Sequence, residues 1–251
     1  MSLLVVCDHD RGHLAEASLE ALTFGRPLAA AAGIEMAAVV IGEGAERAAA
    51  DLGAHGASTV HLASHGLLTD FGPEAWGETV AQLVRATGVT AVLACGTDRG
   101  NEVVAQVAAR LDEPFVANCR SIRPGAGDWA ITRVQWGGSL LEDVTLSAGV
   151  SLVTVAQHAV EATPAEVGEA GGVVPFSPDL EDAVAHTIVV DRVVLTRGIT
   201  LSTAPVVVGG GRGVGSAEAF GPLEELAALL GGVVGCSRAV TNNGWRPHSD
   251  Q

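Results

Sequence analysis

The sequence predicts an α/β protein: a doubly wound, mostly parallel sheet with an added antiparallel hairpin, followed by the first βαβ part of a second α/β domain. Three observations lead there. Short β-branched runs alternate with Ala-rich helical patterns from Leu3 to Asn118, the signature of strands joined by helical crossovers. Hydrophobic residues make up 48% of the chain while aromatic residues make up 4% and tyrosine is absent, which suits Val-rich strands covered on both faces by Ala-rich helices. Finally, Pro205 to Arg238 places an apolar strand, a glycine turn, a helical pattern and a second strand in quick succession.

Taken in order, the runs predict strands at Leu3–Cys7, Glu35–Ile41, Ser58–Leu62, Thr90–Cys95 and Pro114–Asn118. Between them, helices are predicted at Leu14–Ala32, Ala45–Leu52, Pro73–Ala86 and Gly100–Leu111. Right-handed crossovers then give a parallel sheet. After Arg123-Pro124-Gly125 the period becomes that of strands alone. The segments WAITRVQW, SLLEDVTLS and VSLVTVAQ read as an antiparallel meander, its first two strands joined at Gly137-Gly138. Glu161 to Asp182 is rich in Pro, Gly and acid and has no period, so it reads as a surface connection. Residues 183–195 read as one more strand and Thr196 to Ala204 as a link, giving an N-terminal domain over 1–195 and an incomplete second domain over 196–251. A doubly wound sheet needs several strands, yet only Val206–Val208 and Val233–Gly235 follow Ala204, so a missing C-terminal stretch or another polypeptide is expected to complete it.

The second domain carries the clearest chemistry. Gly209, Gly210, Gly211 and Gly213 follow the Val206–Val208 strand at once, and a helix predicted from about Ser216 to Leu230 would set its positive end beside them. Backbone amides in such a turn approach a phosphate or other anion closely, and Arg212 within it offers a bidentate guanidinium. Two named motifs fail. A phosphate loop needs a lysine and every basic residue here is arginine; G-x-G-x-x-G finds Ser216 or Val214 where its last glycine belongs. An ordinary NAD-dependent dehydrogenase is therefore disfavoured, while tight strand-to-helix packing remains an alternative reason for the glycines.

Other features exclude more than they assign. A formal charge of −15 argues against nucleic acid and anionic membranes as partners. No apolar run approaches the ~20 residues that span a bilayer, and the N-terminus lacks a signal-peptide pattern, so a cytoplasmic location without membrane insertion is expected. Cys7, Cys95, Cys119 and Cys236 are far apart and lie in or beside apolar runs, as buried free thiols do. The pairs His9/His13 and His61/His65 lack a third ligand, so no metal site is expected. In GTDRGNE (96–102), Thr97 or Asp98 reads as a helix cap at a place where α/β folds also bind ligands. Asp8-His9-Asp10 follows the first strand at a similar place and could suggest a nucleotide hydrolase, whereas the family resemblance set out below implies a surface turn there. Trp129, Trp136 and Trp245 read as packing residues. No catalytic elbow, H-E-x-x-H or paired-cysteine motif is present.

The segment VVVGGGRGVGSAEAFGPLEELAALLGGVVGCSRAVTNNGW resembles the α subunit of electron transfer flavoproteins, through G-G-R-G-x-x-x-x-E-x-F, then G-x-S-R and a G-W turn. LLVVCDHDRGHLAEASLEALTFGRPLA is similar to the opening strand and helix of that family. RVQWGGSLLEDVTLS is similar to its hairpin, with Gln135 where proline is the pattern. The resemblance implies a heterodimer with a β subunit, carrying one FAD and passing electrons from flavin dehydrogenases such as acyl-CoA dehydrogenases to a downstream acceptor. It implies an electron carrier without catalytic residues, not an enzyme. It further implies that Gly211, Arg212 and Gly213 contact FAD and that Ser237 and Arg238 lie against the flavin, where a fixed cation would raise the potential. Ser237 as a cap of the next helix stays open. The family's V-G-Q-T-G and L-Y-x-A-x-G-I-S-G-A-x-Q-H segments lie beyond Gln251, so FAD binding by residues 1–251 alone is expected to be weak or absent. Two alternatives stand beside this: a subunit of a flavin- or nucleotide-dependent enzyme, and an interaction module without cofactor.

Overall fold

The structure, a computed structural model, describes residues 2–165, 171–190, 201 and 204–251. The chain divides into two units, Met1–Val190 and Asp191–Gln251.

In the first unit, strands β1 (Ser2–Cys7), β2 (Glu35–Ile41), β3 (Thr59–Ala63) and β4 (Ala91–Cys95) alternate with helices α1 (Glu16–Ala32), α2 (Ala45–Leu52) and α3 (Pro73–Thr87). Helix α4 (Asp98–Leu111) then leads to β5 (Phe115–Pro124), β6 (Asp128–Gln135), β7 (Leu140–Ser147), β8 (Ser151–Val155) and β9 (Gly172–Phe176). Together they form a nine-stranded sheet in the order β9-β3-β2-β1-β4-β8-β5-β6-β7. The strands from β9 through β5 pair in parallel, and β6 and β7 add the antiparallel hairpin.

Strand periodicity divides β1 between two cores. Leu3, Val5 and Cys7 face α1 and α2, alongside Ala21, Leu22, Ala48 and Leu52. Leu4 and Val6 face α3 and α4, alongside Trp76, Val80, Leu83, Val103 and Val107. Covering both faces is why these strands are apolar throughout rather than alternating. Helix ends follow local rules: Pro73 sits in the first turn of α3, Thr97 Oγ1 accepts from Gly100 N at 3.0 Å to cap α4, and Gly33 and Gly88 end α1 and α3 in the left-handed conformation.

Four expectations are corrected. VSLVTVAQ is not the third strand of a meander: β8 lies in the middle of the sheet, parallel to β4 and β5, with all five residues buried. A run apolar on both faces belongs between neighbours, and the alternation was only apparent. The segment read as a featureless connection contains β9, whose Val173 and Val174 are exposed because it is an edge strand. Residues 183–190 form no strand, only a 3-10 turn at Asp182–Val184; residues 191–195 of that expected strand, and most of the Thr196–Ala204 link, fall outside the described residues. Trp129 is buried as expected, but Trp136 at the hairpin tip is 81% exposed.

The second unit contains β10 (Val207–Gly210), α5 (Gly221–Leu229), β11 (Val233–Cys236) and the short helix α6 (Arg238–Asn242). β10 and β11 pair in parallel across the α5 crossover. Phe220, Ala227, Val234 and Val240 form its small core, with Trp245 packed against it. The helix predicted from Ser216 begins only at Gly221, because Pro222 suits a first turn and the preceding residues form two separate 3-10 turns, Arg212–Val214 and Glu218–Phe220. The α-helix therefore does not follow the glycine turn directly in the chain, although Phe220 and Leu223 at its start pack against Gly210.

Candidate functional site

Parallel pairing fixes the geometry of the candidate site. The ladder runs from Val207 opposite Val233 to Gly210 opposite Cys236, and Ser237 N extends it by donating to Gly210 O at 3.0 Å. Beyond the ladder, Gly211 leads into the 3-10 turn Arg212–Val214, and Ser237 leads into α6, which starts at Arg238. Neighbouring strands lie about 4.8 Å apart. All five predicted site residues thus emerge at the carboxyl edge of one two-stranded sheet, where open α/β sheets bind their ligands.

The glycines divide by role. Gly210 is buried, and a Cβ there would run into the Phe220 ring and lie 3.0 Å from Leu223 Cδ1, so packing alone requires it. A Cβ at Gly211 or Gly213 would meet nothing within 4 Å, and neither has a left-handed φ. Packing within the chain therefore accounts for Gly210 and leaves Gly211 and Gly213 without a structural reason. Both are exposed, as are Arg212, Ser237 and Arg238. Among the described residues neither guanidinium has an ion-pair partner. Ser237 occupies the N-cap position of α6, but its side chain makes no capping bond.

Beneath this edge, Arg246 holds the unit together. Its Nε meets Asp250 at 2.7 Å, its Nη1 meets Glu224 at 2.6 Å, and the guanidinium lies 5.2 Å from the centre of the Phe220 ring. Hydrogen bonding to Glu224 and then to Asp250 raises the pKa of Arg246 further. Phe220 in turn packs on Gly210, so Arg246 supports the start of the glycine turn through one aromatic ring. Sequence reading missed this residue; the i,i+4 spacing of Arg246 and Asp250 was the available signal.

The remaining candidates have structural roles. Cys7, Cys95 and Cys119 are buried free thiols, whereas Cys236 is only half-buried. Burial pushes Cys95 and Cys119 up to about 12. His9 lies buried instead of on a surface turn: its Nδ1 accepts from Gly12 N at 3.2 Å, which leaves Nε2 to donate to Ile41 O at 3.0 Å. Asp8 pairs with Arg99 at 3.2 Å. Burial lowers the pKa of His61. No cluster of three or more metal-ligating side chains occurs among the described residues, and no helix among them is long and apolar enough to cross a membrane.

Comparison with known proteins agrees with this organisation. The profile of the electron transfer flavoprotein domain matches residues 3–180, and that of the electron transfer flavoprotein FAD-binding domain matches residues 200–251. A protein of Clostridium acetobutylicum named electron transfer flavoprotein subunit alpha is 33% identical over 96% of this chain and 74% of its own length. Its namesake in Mycobacterium leprae is 34% identical over 97% of this chain and 74% of its own length. Protein FixB of Bradyrhizobium diazoefficiens is 33% identical over 96% and 67% respectively.

Proposed function

The chain belongs to the electron transfer flavoprotein family, alongside relatives named as its α subunit, and on that premise we propose that it carries electrons through FAD held at the carboxyl edge of β10 and β11. The observation that carries this reading is the convergence of Gly211, Arg212, Gly213, Ser237 and Arg238 on that edge, with two glycines that packing does not require. Those residues fit such a group: the open space over Gly211 and Gly213 admits a ligand to the backbone, and the exposed guanidiniums of Arg212 and Arg238 have no ion-pair partner among the described residues.

FAD, when bound, supplies the reversible electron chemistry. The chain's own contribution is to hold and tune it. Arg212 offers a bidentate contact to an anionic group, and exposed amides of the glycine turn add donors. Arg238 would hold a positive charge beside the bound flavin, which would favour the reduced state. Ser237, without a capping bond, keeps its hydroxyl available to the cofactor. In this reading residues 1–195 face a β subunit and residues 196–251 begin the FAD-binding domain. Acyl-CoA-type or other flavin dehydrogenases supply the electrons, in the cytoplasm.

Co-expression with a candidate β subunit should yield a yellow complex. Arg212→Ala should weaken FAD binding about tenfold or more, the worth of one charge-assisted hydrogen bond. Arg238→Ala should move the flavin potential to more negative values in a redox titration. A complex that stays colourless when FAD is supplied overturns the proposal, and turnover of a small molecule by the chain alone would favour an enzyme.

A further inference from the structure

Arg246 stands outside the residues assigned to the cofactor, yet its surroundings tie it to them. Its side chain is 19% exposed and comes from the loop after α6. Nη1 is held by Glu224 of α5 and Nε by Asp250 of the 3-10 turn His248–Asp250, so two anchors on different elements fix the plane of one guanidinium. Ion pairs this near the surface add little stability, and Glu224 is 55% exposed. What two of them on one group achieve is orientation. The group they orient lies over the Phe220 ring, where a flat cation is attracted to the π face.

That ring is the floor of the glycine turn. One end of the turn, Gly210, rests on Phe220 so closely that no Cβ fits between them, and the other end, Val214, packs against the core cluster to which Phe220 belongs. Between these ends the backbone is closed on itself: Val214 N donates to Gly211 O at 3.1 Å and Gly215 N to Arg212 O at 3.2 Å. A turn braced in this way moves as one piece, so its direction follows the surface beneath its ends. Arg212 rides exposed in the middle of that piece. The ring sets the turn, and Arg246 sets the ring.

From this chain of contacts we infer that Arg246 is a positioning residue of the flavin site: through Phe220 it aims the glycine turn, and with it Arg212, and so decides how tightly FAD is held. The inference rests on the proposed flavin site for its ligand but not for its geometry. Losing the Arg246 guanidinium can forfeit at most the contact that it aims, so its effect is bounded by that of Arg212→Ala. It should also spare the potential. Arg212 answers to a group that is anionic in both oxidation states, and a contact weakened equally in two states leaves the balance between them unchanged.

The test uses Arg246→Met in the full chain, complexed with a candidate β subunit. Methionine keeps an apolar stem for Phe220 and removes the cation and both ion pairs. FAD titrated by its visible absorbance should bind about 3- to 10-fold more weakly, with the flavin potential at the wild-type value. In an Arg212→Ala background the same substitution should weaken FAD by less than about twofold, because the contact it aims is already gone. Without FAD, the Val214 and Gly215 amides should exchange about 3- to 10-fold faster by NMR, while those of Val233–Cys236 stay at the wild-type rate. Glu224→Gln removes one anchor at an exposed position and should act in the same direction, less strongly; it decides the matter if Arg246→Met does not fold. Wild-type FAD affinity in both variants, losses that add in full to that of Arg212→Ala, or a shifted potential overturns the inference. So does faster exchange of Val233–Cys236, which would make Arg246 a residue of the fold alone. If the wild-type complex takes up no FAD, the flavin reading itself fails; exchange of Val214 and Gly215 then still judges the positioning, and unchanged rates overturn it.

Discussion

Gly210→Ala tests whether the glycine turn is held from below. The added Cβ would overlap Phe220 Cε1, lie 2.9 Å from Cζ and 3.0 Å from Leu223 Cδ1. Real Cβ contacts do not approach a ring that closely, and Phe220 is only 1% exposed with Arg246 over its face, so it has little room to retreat. Overpacking of this kind costs about 1–3 kcal/mol. The backbone at Gly210 is ordinary strand, so the cost is steric and not conformational. Amide exchange of Val233–Cys236, read by mass spectrometry, reports on β11, whose Val233 N donates to Val206 O at 3.0 Å. These amides should exchange about 5- to 150-fold faster in the variant. Phe220→Leu removes the ring edge that the new methyl meets. The double variant should therefore lose about 1 kcal/mol less than the two single losses combined, as residues in contact do. Wild-type exchange in Gly210→Ala, or strictly additive losses in the double variant, would refute the packing argument.

Two further outcomes follow from burial. In native protein at mildly alkaline pH, Cys236 should react first with an aromatic disulfide reagent, because it is half-buried while Cys7, Cys95 and Cys119 are covered, although desolvation raises the pKa of all four; full unfolding should release all four thiols. His61 has an ordinary pKa of 6.5 when unfolded and a lower one when folded, so the unfolded chain binds the proton first. Its neutral form costs nothing above 6.5; stability is lost as pH falls from 6.5 toward the lowered folded value and levels off below it. His61→Gln should remove that part of the acid-side loss in urea melts, and an unchanged pH profile in the variant would count against desolvation as the cause.

Periodicity carried the parallel half of the large sheet, because β1, β2 and β4 and their helices each obey one local rule. The strands it misplaced are those whose position depends on neighbours distant in sequence. β8 was grouped with β6 and β7 because it follows them in the chain, but it buries both faces between β4 and β5, and nothing local to SLVTV states which strands it will pair with. β9 is short and carries Pro175, which an edge strand accommodates and a propensity reading rejects. The helix after the glycine turn was overextended for the opposite reason: Ser216 to Phe220 have helical character, yet Pro222 fixes the α-helical start at Gly221.

The site was legible in composition but not in cause. Five neighbouring glycines and an arginine announce a loop that must come close to something, yet sequence cannot say which glycine answers to the protein and which to a ligand. The structure separates them by what a methyl group would touch: Phe220 and Leu223 at Gly210, and empty space at Gly211 and Gly213. Two substitutions should therefore part company. Gly210→Ala should loosen β11 whether or not flavin is present, whereas Gly213→Ala should leave amide exchange of Val233–Cys236 at the wild-type rate and act only on FAD affinity. If Gly213→Ala loosened the strand as much as Gly210→Ala, the glycine would belong to the fold and the argument for a ligand at this edge would rest on Arg212 and Arg238 alone.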